Sequence, residues 1–451
     1  MKLMVIFFIL NSSIALTCDQ ITQLETIPIS KNSLTLKLMD DSLFASVTNI
    51  NEEVKKEVSN SIAQFEFKIS ELAKKGVSKE HLADWYLNMT NLNRLAFDKI
   101  QSMGFLSDSK AKRLAATTVN TIVSGWISRA LALTGHERAH TTVAEKLDLK
   151  FGYGHDSSPD KKMSLGTMFL ALLTEKGNPF ATWEADKPIS ENQKALFSIA
   201  GINFQNSLAS DITTQNLRSQ NIHATDAFHL LYNKAAIGAY YFVDKESDSS
   251  DLKQYVDSLE ARGLIEPNSQ DKTLEKLANL SILTTMLSGS TIDTIKANAE
   301  FIKSGNTSSK ITTFDTRFGK VTLPEFDTFL NTTNASVKSS SALIRGKNIY
   351  QLSYEKPVIG DLSGEEVSFG AYQPINKEVY ADGAIRYNTN SNSYGANLEL
   401  GYELENGWQL VSGIDYEKSK NGGTWYGQRK YNYELEDGSI ISGYLSVRKK
   451  F

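Results

Sequence analysis

The run "LALTGHERAHTTVAEKLDL", residues 131–149, holds the side chains of this chain best suited to chemistry. In His136-Glu137-Arg138-Ala139-His140 the two histidines stand four residues apart. On a helix that spacing puts both imidazoles on one face, where one cation can take a ring nitrogen from each, with Glu137 beside them. The chemistry this supports is hydrolysis: a metal ion acidifies a water molecule and the neighbouring carboxylate takes its proton. With only six histidines in 451 residues, random placement would give such a motif in roughly one chain in two hundred. Residues 126–133, just before it, are apolar enough to be buried, which is the support a site helix needs.

The segment resembles the active-site helix of zincin metallopeptidases, and "GHERAHTTVAEKLDLKFGYG" is similar to the HExGHxxxA…G run of site-2-type membrane proteases. The resemblance covers about 20 of the 451 residues. It implies that His136 and His140 are ligands of one zinc ion and that Glu137 is the general base; the expected substrate is a protein or peptide. It assigns no third ligand, and a catalytic zinc wants three from the protein. Glu184 and Glu191, downstream of the motif, are carboxylate candidates; His155, His223 and His229 are the imidazole candidates. Arg138 is a departure, being charged where these families mostly carry an uncharged residue. Lys146 stands where a metzincin-type extension would place its third histidine. An intramembrane protease would need a stretch of about 20 apolar residues, and the best segment, 112–135, contains Arg129.

Composition narrows the remaining classes. The net charge is −4 with no basic stripe, so nucleic acid is not an expected partner. There is no GxxxxGK[ST] and no GxSxG, so neither phosphate-loop nor hydrolase-elbow chemistry has a signal. Cys18 is the single cysteine, which rules out an intrachain disulfide and any other thiol nucleophile. The opening "MKLMVIFFILNSSIALTC" has a lysine, an apolar run and then small polar residues; it reads as a signal peptide over 1–17, hence an exported protein. Cys18 then falls where a bacterial lipoprotein would carry its lipid anchor.

Several elements must position the motif. Residues 18–50 read as short extended segments. From 51 the spacing changes: Val54, Val58, Ile62, Phe65, Ile69 and Leu72 step by three and four, predicting a helix. Leu82, Tyr86, Met89, Leu92 and Leu95 predict a second, and 109–148 a third, broken or bent at Gly135. More helices are expected at 163–175, 190–218, 225–243, 252–262, 271–288 and 291–303. Past about 306 the apolar period becomes two. "SYGANLELGYEL" sets Tyr394, Ala396, Leu398, Leu400 and Tyr402 on one face, and Asn406-Gly407 and Asp437-Gly438 read as hairpin turns. Strands of 9–12 residues and the terminal Phe451 resemble an outer-membrane β-barrel of a Gram-negative bacterium; a soluble sandwich fits the alternation too.

The expected architecture is α+β, a mainly helical body over 51–305 holding the HExxH helix, then an antiparallel β-domain over 306–451, barrel or sandwich. The expected function is an exported zinc metallopeptidase at the cell envelope, in the periplasm or at the outer membrane. The alternative is a non-enzymatic envelope β-protein carrying a helical domain.

Overall fold

The helices form where apolar positions recur at three and four. The computed structural model describes residues 64–68, 79–103, 109–155, 163–174, 179–184, 188–244, 247, 250–389, 394–404, 408–419, 426–427, 430–431 and 438–450. Contacts divide the chain into Met1–Asn60 and Ser61–Phe451, and every described residue belongs to the second unit. The expected signal peptide, Cys18 and the extended segments of 18–50 lie outside the described residues, as does Phe451.

The helical part contains α1 (Lys79–Ser102), α2 (Lys110–Lys146), α3 (Leu165–Thr174), α4 (Glu191–Ser219), α5 (Asp226–Lys234), α6 (Ala236–Asp244), α7 (Asp251–Ala261), α8 (Gln270–Leu287) and α9 (Gly289–Ser304). Two starts are written in the sequence. Ser109 caps α2 by accepting the Lys112 N–H, and Ser190 with Gln193 forms a reciprocal capping box on α4. α4 is buried along most of its length and packs against both α2 and α7. Leu131, Ala139 and Val143 of α2 meet Leu196, Ala200 and Phe204 of α4 in one apolar cluster. Each fully buried leucine or phenylalanine there stabilises the fold by about 1.5–3 kcal/mol. A buried ion pair braces the cluster: Arg94 of α1 donates to both oxygens of Asp226 at 2.7 and 2.8 Å. Burial raises the Asp226 carboxyl pKa, but the Arg94 guanidinium outweighs it and holds the group below its ordinary range.

α2 runs without a break through Gly135, correcting the expected interruption. The glycine serves packing instead: a Cβ there would lie 2.0 Å from the Phe204 ring on α4. The single helix expected over 225–243 is two, α5 and α6.

The helix expected around 54–72 is also corrected, because Gln64–Lys68 is a strand, β1. Its sequence, QFEFK, alternates at period two, and backbone pairing with a long partner strand wins over the weaker three–four pattern. Two small sheets interrupt the helices. β2 (Lys150–His155) pairs antiparallel with β3 (Pro179–Glu184), and β4 (Asn221–His223) with β5 (Ser308–Lys310).

The C-terminal strands are β6 (Thr313–Thr316), β7 (Gly319–Thr322), β8 (Glu325–Leu330), β9 (Asn334–Arg345), β10 (Asn348–Gly360), β11 (Glu366–Pro374), β12 (Val379–Asn388), β13 (Tyr394–Glu403), β14 (Trp408–Ser419), β15 (Tyr426–Gly427), β16 (Lys430–Tyr431) and β17 (Gly438–Lys450). Eleven strands form one antiparallel sheet in the order β1-β17-β14-β13-β12-β11-β10-β9-β7-β6, with β8 also on β9. This corrects the expected barrel: among the described residues β1 and β6 end the sheet without pairing to each other, and closure is not formed. Among the described residues the long strands all belong to this one ladder, not to the two stacked sheets of a sandwich. The expected turn at Asn406-Gly407 lies outside the described residues; the strands on either side of it, β13 and β14, pair antiparallel. The expected turn at Asp437-Gly438 falls on Asp437, outside the described residues; among those described, β17 pairs with β14 and β16 with β15. Leu330, Ala335 and Ile359 of the sheet share an apolar cluster with Ile199, Ile202 and Tyr255, so helices and sheet have a common core.

Gly135→Ala tests the α2–α4 contact. In a free helix the change stabilises by about 1 kcal/mol. Here the methyl group meets the Phe204 ring, so we expect net destabilisation of about 1–3 kcal/mol in urea unfolding. A more stable variant would show that the two helices do not meet there.

Candidate metal centre

His136 and His140 project from one face of α2, as their spacing requires, and both are buried. α7 brings the third group. Asp251 is its first residue, following Ser250, and its carboxylate enters the space between the two imidazoles. The Asp251 Oδ2 lies 2.8 Å from His136 Nε2 and 3.0 Å from His140 Nε2, and the two Nε2 atoms are 3.0 Å apart. A tetrahedral zinc with bonds of 2.0–2.1 Å separates its ligand atoms by roughly 3.3 Å. The triangle is therefore within a few tenths of an ångström of the size such an ion needs.

Hydrogen bonding behind the rings decides what the triangle can hold. His140 Nδ1 is 2.7 Å from the Phe197 carbonyl oxygen, which can only accept, so Nδ1 carries a proton. In the neutral ring, Nε2 then turns a lone pair toward Asp251. His136 Nδ1 faces Gln205 Oε1 at 3.2 Å and is set the same way. Two imidazole lone pairs and a carboxylate oxygen converge at about 3 Å with no donor among them unless a ring takes up a proton or a cation sits there. The donor set, two nitrogens and one oxygen with carbonyl-type acceptors behind the rings, suits zinc.

In the chain alone, a proton takes that role. Burial lowers the His140 pKa, but the Asp251 charge and hydrogen bond overcome it and push the pKa up to about 9. Burial in turn raises that of Asp251, and the two imidazoles reverse this and hold its carboxyl far below the ordinary range.

Close packing keeps the rings in place. Tyr240 of α6 stacks on His136 at a 9° interplanar angle, with its hydroxyl 2.9 Å from Nε2 and 3.1 Å from Nδ1. A hydroxyl that close to both nitrogens lies over the ring face rather than in its plane. Phe197 leans on His140 with centroids 4.8 Å apart. Gly201 of α4 leaves room for His136: a Cβ there would be 2.3 Å from the imidazole.

Glu137 is buried next to this triangle, and a backbone hydrogen bond from Ala181 of β3 reaches its carboxylate. Burial raises its pKa, the two histidines pull it back, Asp251 adds to the rise, and the net displacement is upward. A carboxyl displaced toward neutrality suits proton transfer. Arg138, adjacent in sequence, points elsewhere: it donates to Glu145 at 2.8 and 3.3 Å and to Thr141 at 3.1 Å.

Of the other third-ligand candidates, Glu184, Glu191, His223 and His229 are not at the site. Glu191 opens α4 and pairs with Lys194 at 2.5 Å. Glu184 is exposed at the end of β3. His223 bonds Asp98 at 3.0 Å and Thr225 at 2.8 Å. His229 contacts Ser128 at 2.5 Å and Tyr86 at 3.3 Å, and burial brings its pKa down to about 4, which leaves it a neutral core histidine. His155 ends β2. Asp251 carries little signal in the sequence, because an aspartate in the first turn of a helix is commonplace for its favourable interaction with the helix dipole.

No family model matches this chain, and no curated protein is similar to it. Among solved structures, the heparan sulfate lyase HepC from Pedobacter heparinus aligns over 89% of this chain and 83% of its own, at 9% identity and a TM-score of 0.11. That score is too low to indicate a shared fold.

Two predictions follow from the geometry. Gly201→Ala places a methyl group against the His136 ring, so zinc affinity should fall about 10–100-fold, as for other groups that orient a ligand; titration calorimetry on a variant of unchanged circular dichroism reads it. In the metal-free chain, the raised His140 pKa contributes stability that is fully present below about 6.5, its ordinary value, and lost as pH rises through about 9. Melting temperature across that window should fall in the wild type and stay flatter in Asp251→Asn.

Proposed function

We propose that this protein is a zinc-dependent peptidase, with His136, His140 and Asp251 holding one ion and Glu137 acting as general base. The observation that carries the reading is Asp251: a carboxylate over a hundred residues from the motif supplies the missing third ligand atom, directed into the HExxH pair. When bound, the ion supplies Lewis acidity toward a carbonyl and toward water.

The chain's own residues account for the rest. The Phe197 carbonyl and Gln205 fix the tautomers of His140 and His136 so that their Nε2 atoms face the ion. The buried Glu137 carboxylate takes a proton from the attacking water and can return it to the leaving amine. β3 supports a polypeptide substrate. It pairs with β2 along one edge, while the Ala181 N–H reaches Glu137, so a strand edge runs past the general base. An extended peptide laid beside such an edge gains main-chain hydrogen bonds and has its carbonyls held in register. The apolar run and Cys18 at the N-terminus support export and action on protein at the bacterial cell envelope.

Metal analysis and peptidase assays on purified protein test the proposal. The wild type should hold one zinc per chain. Glu137→Gln should keep it and lose about 10²–10⁴-fold in kcat, as when a general base is removed. His140→Ala and Asp251→Ala should lose both zinc and activity. A wild type that binds no zinc, or a Glu137→Gln variant with full activity, contradicts the assignment and favours a non-enzymatic envelope protein.

A further inference from the structure

The long sheet has its polarity reversed relative to a sheet with one wet face. On β12–β14 the side chains of one face are exposed and apolar: Ile385 is 62% exposed, Leu398 47% and Ile414 53%. The alternate residues are buried and polar: Arg386 beside Ile385 at 6%, Glu399 beside Leu398 at 8%, and Gln409 between Trp408 and Leu410 at 1%. The buried face satisfies its charges internally. Arg386 pairs with Glu366 at 3.0 Å, Tyr380 donates to Glu399 at 3.0 Å, and Arg218 of α4 reaches Asp382.

The register makes the outer face continuous. Leu352, Phe369 and Ile385 stand opposite one another on β10, β11 and β12; Leu398 stands opposite Ile414 on β13 and β14. Along single strands the face is ordered by depth. On β13 it reads Tyr394, Ala396, Leu398, Leu400, Tyr402, and on β14 Trp408, Leu410, Ser412, Ile414, Tyr416. Aromatics stand at both ends and aliphatic or small residues between them. The described charged side chains of this face stand at the rim, Lys418 opposite Tyr394 and the Lys356–Glu365 pair past Tyr354.

Eight residues from rim to rim measure about 27 Å along a strand, or about 20 Å of depth at the strand tilt usual in membranes. That covers most of the ~25 Å apolar band of a bilayer-embedded sheet. Six neighbouring strands, β10 to β14 and β17, give an area of about 650 Å². This is above the 300–600 Å² typical of the largest apolar patch on a soluble monomer, and short of the roughly 800 Å² that each partner of a stable protein dimer buries.

We propose that the outer face of β10–β14 and β17 contacts lipid hydrocarbon, with the Tyr402 and Trp408 rim at one headgroup layer and the Tyr354, Tyr387 and Tyr394 rim at the other. Unpaired backbone cannot remain in hydrocarbon; each of these six strands is paired on both sides, β10 between β9 and β11 and β17 between β14 and β1, so none of them is an edge strand of the sheet. The surface is independent of the metal centre, and either can fail without the other.

The test uses the full-length chain with Cys18→Ser and one new cysteine at a time, labelled with an environment-sensitive dye and mixed with phosphatidylethanolamine–phosphatidylglycerol vesicles. Labels at Leu398→Cys, Ile414→Cys and Leu445→Cys should brighten several-fold, shift to the blue and be quenched by lipids brominated on their acyl chains. A label at Lys418→Cys, opposite Tyr394 at the rim, should respond less and escape quenching by bromines placed deep in the acyl chains. Variants are compared at unchanged circular dichroism, and the three outward positions on three strands substitute for one another if one disturbs folding. Equal response at 398 and 418, or no response with a monomer in detergent-free buffer, overturns the proposal. Protection of the 398 label by dimerisation without lipid also overturns it, in favour of a second copy.

Discussion

The structure around α2 depends on one electrostatic constraint: three electron-pair donors meet at about 3 Å inside the protein. Two imidazole nitrogens and a carboxylate oxygen at 2.8–3.0 Å repel unless positive charge lies among them. A proton meets the demand in part, which is why His140 binds one so far above its ordinary range. A divalent ion meets it fully, using the lone pairs that the Phe197 carbonyl and Gln205 aim inward. The rest of the helical body is arranged to allow the convergence. α4 approaches α2 closely through Gly201 and buries the rings. α7 packs on α4, and that contact carries Asp251 to the histidines.

The same constraint orders the chemistry. Because the site is buried, the effective dielectric is low and the Glu137 carboxyl is held between opposing influences, destabilised by burial and by Asp251 and stabilised by the histidines. Arg138, which looks disruptive in the sequence, does not enter this balance at short range. It turns along α2 to Glu145.

What the sequence disclosed follows from which interactions are local. Helical spacing put His136, Glu137 and His140 together, and three–four periodicity placed α1, α2, α4 and α7 to α9 within a few residues. Asp251 was hidden because its partners are 111 and 115 residues away and its local context, the first turn of a helix, already explains an aspartate. Gly135 misled for a related reason. A glycine that weakens a helix locally is required by a neighbour visible only in three dimensions. At β1, QFEFK fits either period, and its place at the edge of a sheet beside β17 decides it. Period-two alternation in the C-terminal third revealed the strands and the face they share. It could not reveal closure, because whether the end strands pair is a property of the whole sheet.

The central claim is that one ion is held jointly by two residues of α2 and one of α7. X-ray absorption at the zinc edge on the zinc-loaded protein tests it most directly, because imidazole rings leave a characteristic outer-shell scattering pattern. The account predicts a four-coordinate nitrogen–oxygen shell at about 2.0–2.1 Å with two imidazoles, and a changed light-atom shell with both imidazoles retained in Asp251→Asn. A shell with fewer than two imidazoles, or one indifferent to Asp251, would contradict it.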